Sequence, residues 1–150
     1  MKSQKVPLHV LLTDDDEDDR FIFKEILNEM DNDITVHMVN DGKQLMDFLA
    51  TETNPLPHII FLDLNMPNMS GLECLKKIRR NEKYSDISIA IYSTSTSKKD
   101  IDDTFSNGAN IYITKPGAYT ELKKVLKKSL SAVRLNRNSN FTRSNFVLKI

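Results

Sequence analysis

The chain has 150 residues, 39% of them hydrophobic and 28% charged, which is the size and make-up of one soluble globular domain with a full core. Nothing approaches the roughly 18 apolar residues of a membrane span, and the first apolar run is too short for a signal-peptide core and meets acids at once, so a cytoplasmic protein is expected. The net charge of zero hides an asymmetry: no acid follows Glu121, residues 122–150 carry +8 and residues 1–121 carry −8, a split that marks either a partner surface or a solvated helix face with a basic tail.

In chain order, Leu8 to Thr13 reads as a buried strand, followed by a helix carrying Phe21, Ile22, Ile26 and Leu27. Ile34 to Val39 is a second strand, closed by the turn Asn40-Asp41-Gly42. Leu45, Met46, Phe48 and Leu49 give a second apolar helix face, and Pro55 and Pro57 fix the loop after it. Ile59 to Leu62 is a third strand, and its unbroken apolar run fits burial on both faces, as in a parallel sheet. Asp63 stands at its end. Next come the turn Met66 to Gly71 and a helix with Leu72, Leu75 and Ile78 inward. On that helix the lone Cys74, without His or Cys at metal-ligand spacing, is a small packing residue. Ile87 to Tyr92 and Ile111 to Thr114 are strands four and five. Lys98 to Asn107 between them is helical, and Gly108 follows as a positive-φ terminator. Leu122, Val125, Leu126, Leu130 and Val133 form the stripe of a last helix.

Five repeats of strand then helix predict an α/β fold, a parallel sheet wound on both faces. The domain is expected over residues 1–134. Residues 135–150 have no period and read as a basic polar tail, flexible or docked, in which Phe141, Phe146, Val147 and Leu148 are the residues able to dock.

Open sheets of this kind bind ligands outside the carboxyl ends of their strands, and several polar groups fall there. Strand one runs into six consecutive acids, Asp14 to Asp19. Glu17, Asp18 and Asp19 are explained by the helix macrodipole, but Asp14 and Asp15 continue directly from a buried strand. With strands one and three adjacent, they meet Asp63. Two carboxylates about 4 Å apart repel by roughly 4 kcal/mol at an effective dielectric of 20. A divalent cation relieves that conflict, and an all-oxygen donor set suits Mg²⁺ better than Zn²⁺. Strand four ends at Ser93 in a hydroxyl-rich loop whose Ser97 is placed to cap the next helix. Strand five ends in Thr114-Lys115-Pro116. A carboxylate nucleophile, a cation, a hydroxyl and an ammonium together are equipment for a transferred phosphoryl group.

The run Leu11 to Asp16, then Asp63-Leu64-Asn65-Met66-Pro67 with Gly71, then Ser93-Thr94, then Lys115-Pro116, resembles the response-regulator receiver domain of two-component signalling over about residues 8–133. The resemblance implies a flavodoxin-like five-stranded sheet in the order 2-1-3-4-5. It implies that Asp63 accepts phosphate from a sensor histidine kinase and that Mg²⁺ is held by Asp15 directly, Asp14 mainly through water, Asp63, and the backbone carbonyl of Asn65. Ser93 and Lys115 would bind the phosphoryl group, Tyr112 would be the aromatic switch, and the Lys115–Pro116 bond would be cis. Thr94 is larger than the residue usual in the family, and Ser95 stands where an acid is frequent. The resemblance further implies a signalling domain rather than an enzyme, with a partner or homodimer face on the fourth helix, fifth strand and fifth helix, beside Lys123, Lys124, Lys127 and Lys128. A stand-alone regulator is expected, similar to those paired with phytochrome-type or hybrid kinases, whose downstream partner is a protein.

Rival readings fare worse. A dehalogenase-type phosphatase needs an acid where Asn65 stands, and a flavodoxin-like electron carrier needs a phosphate loop where six acids stand. An added nucleic-acid-binding role for the basic tail would show as salt-sensitive binding.

Overall fold

The computed structural model describes residues 7–30, 33–136 and 143–148, with side chains placed up to Arg134 and over 143–148. Five strands alternate with five helices: β1 (Leu8–Thr13), α1 (Glu17–Met30), β2 (Ile34–Val39), α2 (Gly42–Ala50), β3 (Ile59–Leu62), α3 (Gly71–Arg79), β4 (Ser88–Ser93), α4 (Lys98–Ser106), β5 (Ile111–Thr114) and α5 (Tyr119–Asn136). All pairings are parallel and the order is β2-β1-β3-β4-β5, as the resemblance implied. Among the described residues no helix is long and apolar enough to cross a membrane.

Two cores flank the sheet. Phe23, Ile26 and Leu27 of α1 and Leu122, Val125, Leu126, Leu130 and Val133 of α5 pack with Val10, Leu12 and Phe61 on one face. On the other, Leu45 and Leu49 of α2 and Cys74, Leu75 and Ile78 of α3 meet Leu11, Ile60 and Ile89. β3 and β4 are buried along their whole length, which is why their sequences show no alternation. Cys74 is fully buried, and burial pushes its thiol up to about 11, consistent with an inert packing role.

The helix ends follow local chemistry. Asp41, Ser70 and Ser97 cap α2, α3 and α4, each accepting a backbone N–H three residues on. Gly108, at φ 96°, closes α4 where a side chain would be strained.

Two expectations are corrected, and the tail expectation, flexible or docked, resolves in part. Phe21 and Ile22 do not belong to the inward stripe of α1: Phe21 is 64% exposed, because successive helical residues point about 100° apart and Phe23, Ile26 and Leu27 take the core face. No cis peptide bond is present among the described residues, so Lys115–Pro116 is trans, and ion pairs rather than a cis bond aim the lysine. Part of the tail is docked: residues 143–148 lie against β5 and α4, with Phe146 fully buried, while 137–142, with Phe141, lie outside the described residues.

Candidate functional site

The parallel register carries the polar tips to one end of the sheet. Asp63 N–H donates to the Thr13 carbonyl at 3.0 Å, which locks the end of β3 beside Asp14. Lys115 N–H donates to the Ser93 carbonyl at 2.8 Å, which does the same for β5 and β4. Asp14, Asp15, Asp63, Ser93 and Lys115 therefore share one edge. Asp14 and Ser93 are wholly buried, Asp63 nearly so, and Asp15 is exposed.

The turn after Asp63 is built to come close. Gly71 N–H donates to the Leu64 carbonyl at 3.0 Å, and a Cβ on Gly71 would stand 2.2 Å from the Asp63 carbonyl oxygen, so only glycine lets α3 start there. Asn68 takes φ 69° in the same turn, a left-handed conformation that asparagine tolerates. Asn65 N–H reaches back to Asp63 Oδ1 at 3.2 Å.

Lys115 Nζ is the electrostatic centre. It lies 2.9 Å from Asp14 Oδ2, 2.9 Å from Asp19 Oδ2 and 3.5 Å from Asp63 Oδ2, and 5.1 Å from the ring centroid of Tyr92. Burial alone would lower its pKa, but the bonds to Asp19 and Asp14 outweigh that and hold the ammonium above the ordinary lysine range. Burial raises Asp14, and the Asp16 amide and Lys115 only partly offset it. Burial also pushes Asp63 up to about 6, against Lys115 and the Asn65 amide. At neutral pH Asp63 is thus a carboxylate, but one held reluctantly in its charged form.

The donor set fits a divalent cation. Asp14, Asp15 and Asp63 each present a carboxylate oxygen, all within 4.8 Å of one another. Asp14 Oδ2 is buried without a well-aligned hydrogen-bond donor, its contact to Lys115 being ionic, so it retains a lone pair for a further cation. The donors are all oxygen.

Asp19 also enters the site, where sequence reasoning placed only a macrodipole partner. Its place in the first turn of α1 satisfies the macrodipole, yet it also pairs with Lys115 Nζ. The available signal was its place one helical turn after the strand-tip acids. Tyr112 is fully buried, and its hydroxyl donates to the Ser95 carbonyl at 2.8 Å. Thr94 is exposed beside the site. Lys123 bonds Glu29 of α1 at 3.3 Å, so it stands on the α1 side of α5, away from α4.

This architecture is a flavodoxin-like fold, an open parallel sheet with an acid cluster and a lysine at its carboxyl edge. The response regulator receiver domain model matches residues 10–127, and the chain belongs to that family of two-component signalling domains. It is 32% identical over 123 residues to a chemotaxis protein CheY homolog of Campylobacter jejuni, covering 82% of this chain and 92% of that one. The phosphorylated cyanobacterial phytochrome response regulator RcpA superposes with TM-score 0.80 at 26% identity, covering 86% of this chain and 95% of the other. The Mn²⁺-bound form of response regulator Rcp1 gives TM-score 0.76 at 28% identity, with the same coverage.

Proposed function

We propose that Asp63 accepts a phosphoryl group from a phosphohistidine on a sensor histidine kinase and that this changes which protein the domain binds. The observation that carries the reading is Asp63 itself, nearly buried yet ionised at neutral pH, with Lys115 at 3.5 Å and two further carboxylates around it. In the transfer, an Asp63 carboxylate oxygen forms a bond to phosphorus as the P–N bond breaks, and the imidazole keeps the electron pair and takes a proton. Lys115 and Ser93 hold the oxygens of the transferred group. Asp14, Asp15, Asp63 and the carbonyl of Asn65 would hold Mg²⁺, which when bound neutralises charge on the carboxylates and the phosphoryl group. Rcp1, a similar solved response regulator, is described in a Mn²⁺-bound form, in keeping with a divalent ion for this chain.

The partners follow from the surfaces. A cleft beside Lys115 is lined by Ile22, Pro116 and Tyr119, and the exposed Phe21 lies next to Ile22 on α1, an apolar face for a kinase helix. The opposite output falls to the face of α4, β5 and α5, where Tyr112 acts as the switch and a homodimer or effector docks. RcpA is named as a phytochrome response regulator, and this chain is proposed to serve a kinase of that kind, in the cytoplasm. Two of the basic residues after Glu121 are engaged within the domain, Lys123 with Glu29 and Arg143 with Asp102.

The test is incubation with radiolabelled acetyl phosphate and Mg²⁺, beside Asp63→Asn. Acid-labile label on the wild type alone is expected. Equal label on both proteins, or none on the wild type, refutes the assignment.

A further inference from the structure

Asp19 stands in the first turn of α1, where its backbone N–H donates to Asp16 Oδ1 at 3.0 Å. Its Oδ2 accepts a hydrogen bond from Lys115 Nζ at 2.9 Å. Asp14, Asp15 and Asp63 converge as cation donors, and Asp19 is not one of that set. It lies instead with Lys115 along the cleft that Ile22, Tyr92 and Pro116 also line, its side chain 35% exposed. The macrodipole explains an acid in this turn and leaves open what the bond to Lys115 does.

Lys115 is shared unequally among its carboxylates. Nζ is 2.9 Å from Asp19 and from Asp14 but 3.5 Å from Asp63, which is ionic contact beyond ordinary hydrogen-bond length. An ammonium has three N–H groups, so a phosphoryl oxygen on Asp63 can bond to Nζ without expelling Asp19. The Asp19 carboxylate opposes that bond in two other ways. It holds Nζ nearer to α1 than to Asp63, and its negative charge offsets the ammonium where little water screens the pair. Both weaken the pull of Lys115 on an anion at Asp63. Without Asp19 the lysine would stay at the site, because Asp14 and Asp63 both remain within ionic reach of Nζ.

We propose that Asp19 is a positioning residue that restrains Lys115, so that the resting site binds a phosphoryl group less tightly than its lysine alone would allow. The effect on loading rests on Asp63 being the phosphoacceptor; the restraint on Lys115 in the resting protein does not. Asp19 thereby sets how readily the site loads, from outside the group of residues that touch the phosphoryl group or the cation.

Beryllofluoride, a mimic of a phosphoryl group on a carboxylate, tests this at saturating Mg²⁺, with ¹⁹F signals of the bound fluoride giving the affinity. Asp19→Asn keeps the shape of the side chain and should bind the mimic about fivefold more tightly, the scale of one partly exposed ion pair. Asp18→Asn removes the same charge from an exposed position in the same turn and should stay within about twofold of the wild type. In a Lys115→Ala background Asp19→Asn should lose its gain, because that cycle isolates what passes through the lysine. Equal affinity of Asp19→Asn and the wild type, an equal gain in Asp18→Asn, or a gain that survives the loss of Lys115 each overturns the proposal. The resting restraint is read without ligand from the ¹⁵N resonance of Lys115 Nζ, which should shift in Asp19→Asn and hold in Asp18→Asn. An unshifted resonance in Asp19→Asn overturns it too. A wild type that fails to load, or loads no better than Asp63→Asn, overturns the phosphoacceptor reading and the proposal with it. Loading at Asp63 without the Asp19 effect overturns the proposal alone.

Discussion

Lys115 Nζ stands 2.9 Å from Asp14 Oδ2, joining the last strand of the sheet to the first across a carboxyl group with no solvent exposure. The side chain of Lys115 is itself only 12% exposed. Removing one partner of such a pair leaves the other as an uncompensated buried charge, which costs about 3–5 kcal/mol. Lys115→Ala should therefore be destabilised by an amount of that order in metal-free buffer, and Mg²⁺ should recover much of it by replacing the lost charge. It should still accept some phosphate, since Asp63 keeps its place, and should fail to alter partner binding. Urea unfolding with and without Mg²⁺ checks the first claim. A variant as stable as the wild type without metal would show that Asp14 does not depend on the lysine.

Asp63 has the opposite character: its ionised form is a liability until a cation or phosphoryl group arrives. Its pKa of about 6 lies above the ordinary 3.8 because burial disfavours the charge. The folded protein therefore binds more protons than the unfolded chain between these values. The stabilisation from protonated Asp63 is full below pH 3.8 and lost as pH rises through about 6. Asp63→Asn, neutral throughout, should be more stable than the wild type at pH 7 without metal, by about 1–3 kcal/mol. The difference should shrink toward pH 4. Mg²⁺ should stabilise the wild type more than the variant. Chemical denaturation at several pH values reads all three trends, and a less stable Asn variant at pH 7 would contradict the electrostatic account.

The three histidines form a row, His9 of β1 stacking on His37 of β2 at 6.1 Å and on His58, just before β3, at 5.8 Å, with Phe48 of α2 at 5.2 Å from His37. His37 Nε2 is buried without a partner. Burial, with a smaller contribution from His9, lowers the His37 pKa from 6.5. Here the unfolded chain binds the extra proton, so His37 leaves stability untouched above pH 6.5 and lowers it as pH falls below that value toward the folded pKa. This slope opposes that of Asp63 in the same range. His37→Gln should consequently be less acid-sensitive than the wild type between pH 6.5 and 5. Parallel stability curves for the two proteins would refute the role given to His37.

The strand-tip residues were legible because a parallel sheet sends every carboxyl end to one side. Once Leu8–Thr13, Ile59–Leu62 and Ile111–Thr114 read as buried strands, Asp14, Asp63 and Lys115 had one edge to share. What escaped depended on tertiary contact. Asp19 looked like a macrodipole partner and is one, and only the reach of the Lys115 side chain across the strand tips brings the two together. Phe146 sits in a stretch without period, because it docks as a single aromatic on a strand edge and needs no repeat to do so. Phe21 reads as core by type alone, but its direction on α1 sends it to solvent.

Arg79 illustrates a structural role that no motif announces. Its guanidinium donates to the carbonyls of Gly108, Tyr84 and Ile87 at 2.9, 3.2 and 2.8 Å and to Asn110 Oδ1 at 2.9 Å. It ties the end of α3 to the loops that lead into β4 and β5, and Asn110 Oδ1 in turn accepts the Ile89 N–H at 2.8 Å. Arg79→Ala would leave several partly buried carbonyls without a donor, each costing about 1–3 kcal/mol where water cannot replace it. A loss of about 3 kcal/mol is expected. Arg79→Lys should recover little of it, because an ammonium on a flexible stem cannot reproduce the planar fork. Since these loops lie at the end of the sheet away from Asp63, acetyl phosphate labelling of the folded Arg79→Ala protein should match the wild type. Thermal unfolding measures the first effect and label uptake the second. Full stability in the alanine variant would show that water satisfies these carbonyls unaided.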